Sequence, residues 1–227
     1  MKTEFPKDLA SEFFVNTAQT YDKIVNLTTF GKDKYWKKEI IKKISECNSI
    51  LDLGCGTGIL IFQIAKKFPN AKIIGVDISK NYLNTARKKI KPDHKISFLL
   101  QDAEKLNLAS KFDCITSSYI PKYCTPDILV KVCLSHLNEE GKIILHDFTY
   151  PQNKSVRTFW NFYFVILGIA GKLIPDWKKV FEDLPKMIRS TTWLDDYEDT
   201  MKRNNFEVKV QFLTLGSSAM LTGIKKV

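Results

Sequence analysis

The stretch ILDLGCGTG, residues 50–58, constrains the fold of this chain more than any other. An apolar run ends directly in Gly54, Gly56 and Gly58, and the next segment, ILIFQIAKKFP, has the apolar spacing of a helix closed by proline. A second apolar run, KIIGVDIS, follows that helix. This order predicts a strand, a helix and a parallel second strand, with the glycine turn at the carboxyl edge of the sheet.

The strand–helix alternation continues to residue 150. The helix NYLNTARKKI, the strands ISFLLQDA and FDCITSSY, the helix TPDILVKVCLSHL, the turn NEEGK and the strand IILHDF follow in that order. An aromatic tract and a Lys/Asp-rich segment precede a helix near residues 193–204 and two strands, whose short link through Leu215 and Gly216 indicates a hairpin. The fold class is therefore α/β, and we expect a doubly wound, mostly parallel seven-stranded sheet with a C-terminal antiparallel hairpin.

The length and composition suit one globular domain. Of the 227 residues, 44% are apolar and 26% are charged, which is ordinary globular usage. We expect residues 1–46 to form a helical substrate cap, 47–150 the core, 151–192 an aromatic lid, and 193–227 the closing helix and hairpin.

The cysteines and the N-terminus indicate the compartment. The two cysteines nearest in sequence, Cys47 and Cys55, are eight residues apart (55 − 47), so the chain has no CxxC pair for a metal or a redox disulfide. Acidic residues interrupt the apolar residues of the N-terminus, which disfavours a secretory signal. We expect a cytoplasmic protein with free thiols and no metal site.

Three carboxylates stand at or beside the ends of three successive predicted strands. Asp52 precedes the glycines, where it would repel a pyrophosphate but attract an ammonium or a sulfonium. Asp77, 19 residues after Gly58, is placed to accept from ribose hydroxyls, and Asp102 could accept from an adenine amino group. The pattern predicts a site for a nucleoside that carries a positive charge, with NAD binding or a purely structural turn as the alternatives.

These residues resemble a known enzyme family. ILDLGCGTG, IIGVDIS, LLQDAEKL and FDCITSSY stand in the order of the class I S-adenosylmethionine (SAM) methyltransferases, over residues 49–150. The N-terminal segment ASEFFVNTAQTYDKIVNLTTFGKDKYWKK, the motif DFTYP, the aromatic tract and FLTLGSSAMLTGIKK resemble the UbiE-type C-methyltransferases of ubiquinone and menaquinone biosynthesis. The resemblance implies a Rossmann-like methyltransferase fold, SAM as cofactor, S-adenosylhomocysteine as product, and a prenylated quinol as the methyl acceptor.

The resemblance also implies a set of cofactor-binding residues. Asp102 stands where the family usually has Asn, and either side chain can accept from an adenine amino group. With the turn residues, the expected set is Asp52, Gly54, Gly56, Thr57, Gly58, Asp77, Ile78, Asp102, Ala103 and Ser118.

One motif departs from the family. The chain reads YIPKY at Tyr119–Tyr123 where the quinone enzymes have F-G-[IL]-R-N, so Lys122 replaces an arginine. This departure leaves open N- or O-methylation of another lipid or small metabolite.

Activation of a quinol carbon requires a base or a group that positions water. Tyr21 and Lys122 align with positions that the family uses near the acceptor, and Asp147 ends the fifth strand. His146 alternates with Asp147 and must face the other way, so we favour Asp147. Tyr21 could equally be a packed aromatic residue, and Lys122 a solvated loop charge.

The net charge of +10 would attract nucleic acid, anionic lipid or an acidic substrate. RNA modification has only this charge in its support, since the chain lacks an N-P-P-Y-type tetrapeptide, so nucleic acid is disfavoured.

The most apolar tract, Phe159–Gly171, has 13 residues and is too short to cross a bilayer, which needs about 20. It could be core, or a lid over a lipid-tailed acceptor in peripheral contact with an anionic membrane. The lysine-rich residues 32–43 are the expected contact face, and a homodimer is left open.

Overall fold

The computed structural model describes residue 14, residues 16–92 and residues 94–226. Within these residues, one sheet contains seven strands in the order β3-β2-β1-β4-β5-β7-β6. The first five strands pair in parallel, and β7 pairs antiparallel with β5 and β6. The predicted fold class is confirmed. The strands are β1 Ser49–Leu53, β2 Lys72–Asp77, β3 Ile96–Leu100, β4 Phe112–Ser118, β5 Leu137–Phe148, β6 Phe206–Leu213 and β7 Ser218–Lys225.

Helices precede, connect and follow the parallel strands. In the described part of the chain, two helices stand before the sheet, three lie between β1 and β5, and three separate β5 from β6. In chain order they are α1 Tyr21–Thr28, α2 Lys32–Lys43, α3 Ile59–Lys67, α4 Lys80–Arg87, α5 Pro126–Ser135, α6 Lys154–Gly171, α7 Pro175–Ser190 and α8 Trp193–Arg203. Short 3₁₀ turns cover Ala103–Lys105, Pro121–Tyr123 and Thr214–Gly216.

The apolar core lies on both faces of the sheet. Ile50 of β1 packs on one side with Ile61 and Ile64 of α3. The next residue, Leu51, packs on the opposite side with Ile115 and Tyr197. A strand that is buried on both faces has consecutive apolar residues in its sequence. This explains why the apolar residues of SIL, before the carboxylate, and of KII, before the glycine, do not alternate with polar ones.

One predicted boundary differs from the structure. Residues 138–142 are expected as a turn before the fifth strand, but β5 already begins at Leu137, which pairs with Phe112. Pairing resumes only at Lys142 with Cys114, and Glu140 between them has a φ of 58°. Because Leu137 already pairs with Phe112, the strand begins before residues 138–142. These residues therefore form an irregularity within a longer strand instead of a separate turn.

The segment after β5 is helical. Trp160 and Phe164 of α6 pack with Ile188 of α7, and α7 also buries Trp177 and Phe181. Among the described residues, none of the helices combines the length and the apolar character that crossing a bilayer requires. The aromatic tract therefore has one side packed against α7 and another side facing outward.

Candidate active site

The carboxyl ends of the central parallel strands surround a cavity of about 330 Å³. Asp77 is the last residue of β2, Ser118 is the last residue of β4, and Asp102 lies two residues after the end of β3; all three line the cavity. The volume is in the range of small-molecule sites. The predicted residues that line this first cavity are Gly54, Gly56, Asp77, Ile78, Asp102, Ala103 and Ser118.

The Asp77 carboxylate is fixed by backbone donors. Its Oδ2 accepts from the Gly56 N–H at 2.8 Å, and its Oδ1 accepts from the Ser79 N–H at 2.8 Å. Burial raises the pKa of Asp77, and these backbone bonds oppose the rise. Since each carboxylate oxygen has a second lone pair, both oxygens can still accept from a pair of hydroxyls in the cavity.

The glycine turn is possible only without side chains. Gly54 and Gly56 have φ values of 71° and 57°, a region that other residues rarely adopt. A Cβ on Gly54 would lie 2.5 Å from the Ile120 side chain, which comes from the turn after β4. The absence of side chains lets the backbone of this turn line the cavity directly.

Three of the residues predicted to bind the cofactor are not in contact with the first cavity. In the part of the chain that the structure describes, Asp52, Thr57 and Gly58 do not line the first cavity. Gly58 is the N-cap of α3. The Asp52 carboxylate is 2% exposed and accepts from Thr116 Oγ1 at 2.6 Å, and burial raises its pKa to about 7.

Thr57 joins the glycine turn to the N-terminal helix α1. Its Oγ1 donates to Asp22 Oδ1 at 2.5 Å. Lys89 forms an ion pair with Asp22 and also donates to the Thr57 carbonyl at 3.1 Å. Together these contacts hold α1 beside the first cavity.

A second cavity of about 350 Å³ adjoins the first. Side chains of α1, α2, α6 and α7 contribute most of its lining, which includes Trp36, Trp160, Phe164 and Phe181. The two cavities share four lining residues, all aromatic: Phe14, Tyr21, Tyr119 and Tyr123. A cavity that is lined in part by carboxylates and is large enough for a nucleoside thus meets a more apolar cavity at one aromatic wall.

The candidate Tyr21 belongs to this aromatic wall. Its ring lies 5.2 Å from that of Tyr82 and 6.0 Å from that of Trp177, between centroids. Burial raises the pKa of Tyr21 well above its usual value. Tyr21 is therefore a packed aromatic residue, which is one of the two interpretations of its sequence position. It also lines both cavities.

Lys122 and Asp147 form a buried ion pair. Lys122 Nζ donates to Asp147 Oδ1 at 2.8 Å and to the Tyr119 carbonyl at 2.6 Å. Lys122 is only 8% exposed and lines the second cavity, so it is not a solvated loop charge. Burial lowers its pKa, while Asp147 opposes that change. Asp147 lines neither of the two cavities as the structure describes them, and it meets the second one through Lys122.

His146 has a different environment from Asp147. Its Nδ1 lies 2.8 Å from Ser118 Oγ, and its Nε2 lies 2.7 Å from Ser218 Oγ. Burial, together with the nearby cation of Lys37, lowers the pKa of His146 well below its usual value. A neutral imidazole therefore connects β4, β5 and β7 beneath the cavities.

Comparisons with known proteins show the family of this chain. The model of the ubiE/COQ5 methyltransferase family matches residues 2–225. The chain belongs to this methyltransferase family. It is similar to the demethylmenaquinone methyltransferase of Lactobacillus johnsonii, at 28% identity over 100% of this chain and 96% of that one. It is also similar to the ubiquinone/menaquinone biosynthesis C-methyltransferase UbiE of Rickettsia typhi, at 31% identity over 88% and 85% of the two chains.

The fold of this methyltransferase is found in solved structures. The plantazolicin methyltransferase BpumL, in complex with a monoazolic desmethylPZN analog and SAH, aligns over 97% of both chains with a TM-score of 0.62 at 15% identity. As a member of its family, the protein is an enzyme that uses SAM as methyl donor. The first cavity fits that cofactor, because side-chain hydroxyls and the carboxylates of Asp77 and Asp102 line it together with apolar side chains.

The sequence did not reveal a second buried ion pair in the methyltransferase. Lys37 Nζ of α2 lies 3.4 Å from Asp33 Oδ1, donates to Ser118 Oγ at 2.6 Å, and lies 4.0 Å from the centroid of the Tyr119 ring. The Tyr119 hydroxyl donates to Asp33 Oδ1 at 2.6 Å, and its backbone φ is 74°. These contacts hold Tyr119 and Ser118 at the junction of the two cavities. The sequence signal for this ion pair is the i,i+4 spacing of Asp33 and Lys37. Exposed lysines at other positions of the same helix make this signal hard to distinguish from a surface pair.

The raised pKa of Asp52 predicts a pH-dependent stability. The folded protein keeps this proton between about pH 4 and pH 7, where the unfolded chain releases it, so the stabilisation that Asp52 provides is lost as the pH rises through about 7. Asp52→Asn does not titrate and can still accept from Thr116. Relative to the wild type, its free energy of unfolding should therefore rise by on the order of 4 kcal/mol across this range. Denaturant unfolding of both proteins at several pH values measures it, and a pH-independent difference would contradict the assignment.

Removing one member of the Asp33–Lys37 pair should be strongly destabilising. Lys37→Met leaves the buried Asp33 carboxylate without its cation and should lower the free energy of unfolding by about 3–5 kcal/mol. The double variant Asp33→Asn/Lys37→Met should regain part of that loss. The control is Lys38→Met, an exposed lysine on the same helix. Equal denaturant midpoints for Lys37→Met and Lys38→Met would show that the pair does not hold this region.

Proposed function

We propose that this methyltransferase C-methylates a prenylated quinol in quinone biosynthesis. The observation that carries the proposal is the shared aromatic wall between a nucleoside-sized cavity lined in part by carboxylates and a more apolar cavity of similar volume. The relatives from L. johnsonii and R. typhi are named for methylation in menaquinone or ubiquinone biosynthesis, which supports the same acceptor class.

In this proposal the first cavity holds SAM. Asp77 accepts from the ribose hydroxyls, Asp102 from the adenine amino group, and Ser118 and the backbone at Gly54 and Gly56 complete the polar lining. Ile78 and Ala103 supply apolar contact with the base. SAM brings an activated methyl group and its own leaving group. Asp52, Thr57 and Gly58 act indirectly, by fixing the turn that forms the floor of the cavity.

The second cavity holds the acceptor ring. The Lys122 ammonium has three N–H donors, of which the Asp147 carboxylate and the Tyr119 carbonyl take two. The third can donate to an oxygen of the acceptor and stabilise the negative charge left on that oxygen when its proton passes to solvent water. More electron density then reaches the ring carbon that accepts the methyl group. Asp147 keeps Lys122 charged and oriented, and Tyr21 packs beside the ring at the wall.

The apolar lining of the second cavity favours a lipid-tailed acceptor over a polyanion such as RNA. A prenylated quinol resides in a membrane, so we propose a cytoplasmic enzyme that makes peripheral contact with an anionic bilayer. N- or O-methylation of another lipid or metabolite is the second candidate, because Lys122 stands where the quinone enzymes have arginine.

Partition of a labelled methyl group tests the acceptor class. The enzyme is incubated with methyl-labelled SAM together with a quinol-containing lipid extract, total RNA and protein, and the fractions are then separated. Label should enter the lipid fraction on a C-methylated quinol. Asp77→Ala should abolish the transfer, whereas Asp127→Ala, which removes an exposed carboxylate paired with Arg203, should not. Label in RNA alone, or on a lipid oxygen or nitrogen, would refute the quinol proposal.

The role of Lys122 can be measured separately. Lys122→Met should lower kcat by about 10²-fold, a usual effect of losing a donor that stabilises developing negative charge, and leave SAM affinity unchanged. Lys122→Arg keeps the charge and should retain more activity. Steady-state kinetics and SAM titration of both variants decide the matter. An unchanged kcat in Lys122→Met would remove this residue from the mechanism.

A further inference from the structure

Large apolar side chains are concentrated on one outer surface of the protein. Of the fifteen that are exposed in the described part of the chain, eight lie on α1, α6 and the residues that directly follow them. On α6 they recur every three or four residues, so they form one face of the helix. These eight are Leu27, Phe30, Phe159, Phe162, Val165, Ile166, Ile169 and Leu173, and we call them the α6 face.

The α6 face is continuous with the mouth of the second cavity. The ring of Phe30 lies 5.4 Å from that of Tyr163 of α6, between centroids, and the Tyr163 hydroxyl donates to the Thr28 carbonyl. Phe30 and Phe159 belong to the α6 face and also line the second cavity. A molecule bound in that cavity can therefore leave it directly onto this face.

The charged residues within the two segments that carry the α6 face are all basic. Residues 27–32 and 151–174 contain Lys32, Lys154, Arg157 and Lys172, and no aspartate or glutamate. Lys32 also lines the second cavity, and Lys154 and Lys172 flank the apolar row at the two ends of α6. An apolar helix face with cations at its rim matches the boundary of an anionic lipid leaflet, where acyl chains lie beneath negative headgroups.

We propose that the α6 face docks on an anionic lipid leaflet, with α6 lying in the plane of the surface. The mouth of the second cavity then opens at the leaflet, so that a tailed acceptor can place its ring in the cavity while its tail stays among the lipids. The inference rests on the proposed function for the tailed acceptor. Of the lysine-rich helix α2 the contact includes only the first residue, Lys32, and farther along that helix Lys37 is buried and Lys42 pairs with Glu39.

Vesicle binding tests the docking surface. The α6-face variant is Phe162→Gln/Ile169→Gln/Leu173→Gln, which keeps helix-compatible residues and spares the cavity lining. The matched control, Ile90→Gln/Ile128→Gln/Phe212→Gln, removes three exposed apolar side chains elsewhere. Wild type and control should sediment with phosphatidylcholine/phosphatidylglycerol vesicles, less so with phosphatidylcholine alone. The α6-face variant should bind at least tenfold more weakly.

Methyl transfer separates failure of this surface from failure of the proposed function. With a quinol that lacks a prenyl tail, in buffer, the α6-face variant should match the wild type. With a prenylated quinol in vesicles it should lose most of its rate. If the wild type does not bind anionic vesicles, or if the α6-face variant binds them equally well, the proposed docking surface is wrong, even where the enzyme methylates the quinol. A wild-type dimer that becomes monomeric in the α6-face variant, without vesicle binding, overturns it in favour of a second copy of the chain.

Discussion

The hydrogen bond from the Gly56 N–H to the Asp77 carboxylate is the contact on which the cofactor cavity depends. It joins the glycine turn after β1 to the end of the neighbouring strand β2. The N–H groups of Gly54 and Cys55 reinforce the junction by donating to the Val76 carbonyl at 2.8 Å and 3.0 Å. Because the turn and the carboxylate form one rigid unit, a nucleoside that binds Asp77 also meets the backbone of the turn.

The acceptor side is built differently, from helices outside the parallel core. Tyr119 at the end of β4 connects the two parts, since it lines both cavities and contacts Asp33 and Lys37 of α2. Its left-handed backbone is a conformation that bulky residues adopt only when surrounding contacts enforce it. The sheet therefore shapes the first cavity, and side chains from α1, α2, α6 and α7 shape the second cavity around a fixed aromatic wall.

The sequence predicted the part of the site that follows from strand order. Asp77, Asp102 and Ser118 come together because the carboxyl ends of parallel strands share one edge, and that rule needs no side-chain packing. Asp52 precedes the same edge, but its side chain accepts a hydrogen bond from Thr116 of the neighbouring strand in the sheet interior. Its orientation therefore depends on a contact between strands. The contacts of Lys37 with Ser118, 81 residues away, depend on where α2 packs, which local periodicity cannot specify. The early start of β5 has the same cause, a pairing with a distant strand.

The central claim is that the nucleoside cavity and the apolar cavity form one active site across the aromatic wall. A crystal structure of the enzyme with S-adenosylhomocysteine tests it most directly. We expect ribose hydroxyls on the Asp77 carboxylate and a thioether sulfur that faces the second cavity beside Tyr21 and Tyr119. A nucleoside bound away from Asp77, or a sulfur separated from the second cavity by closed protein, would contradict it.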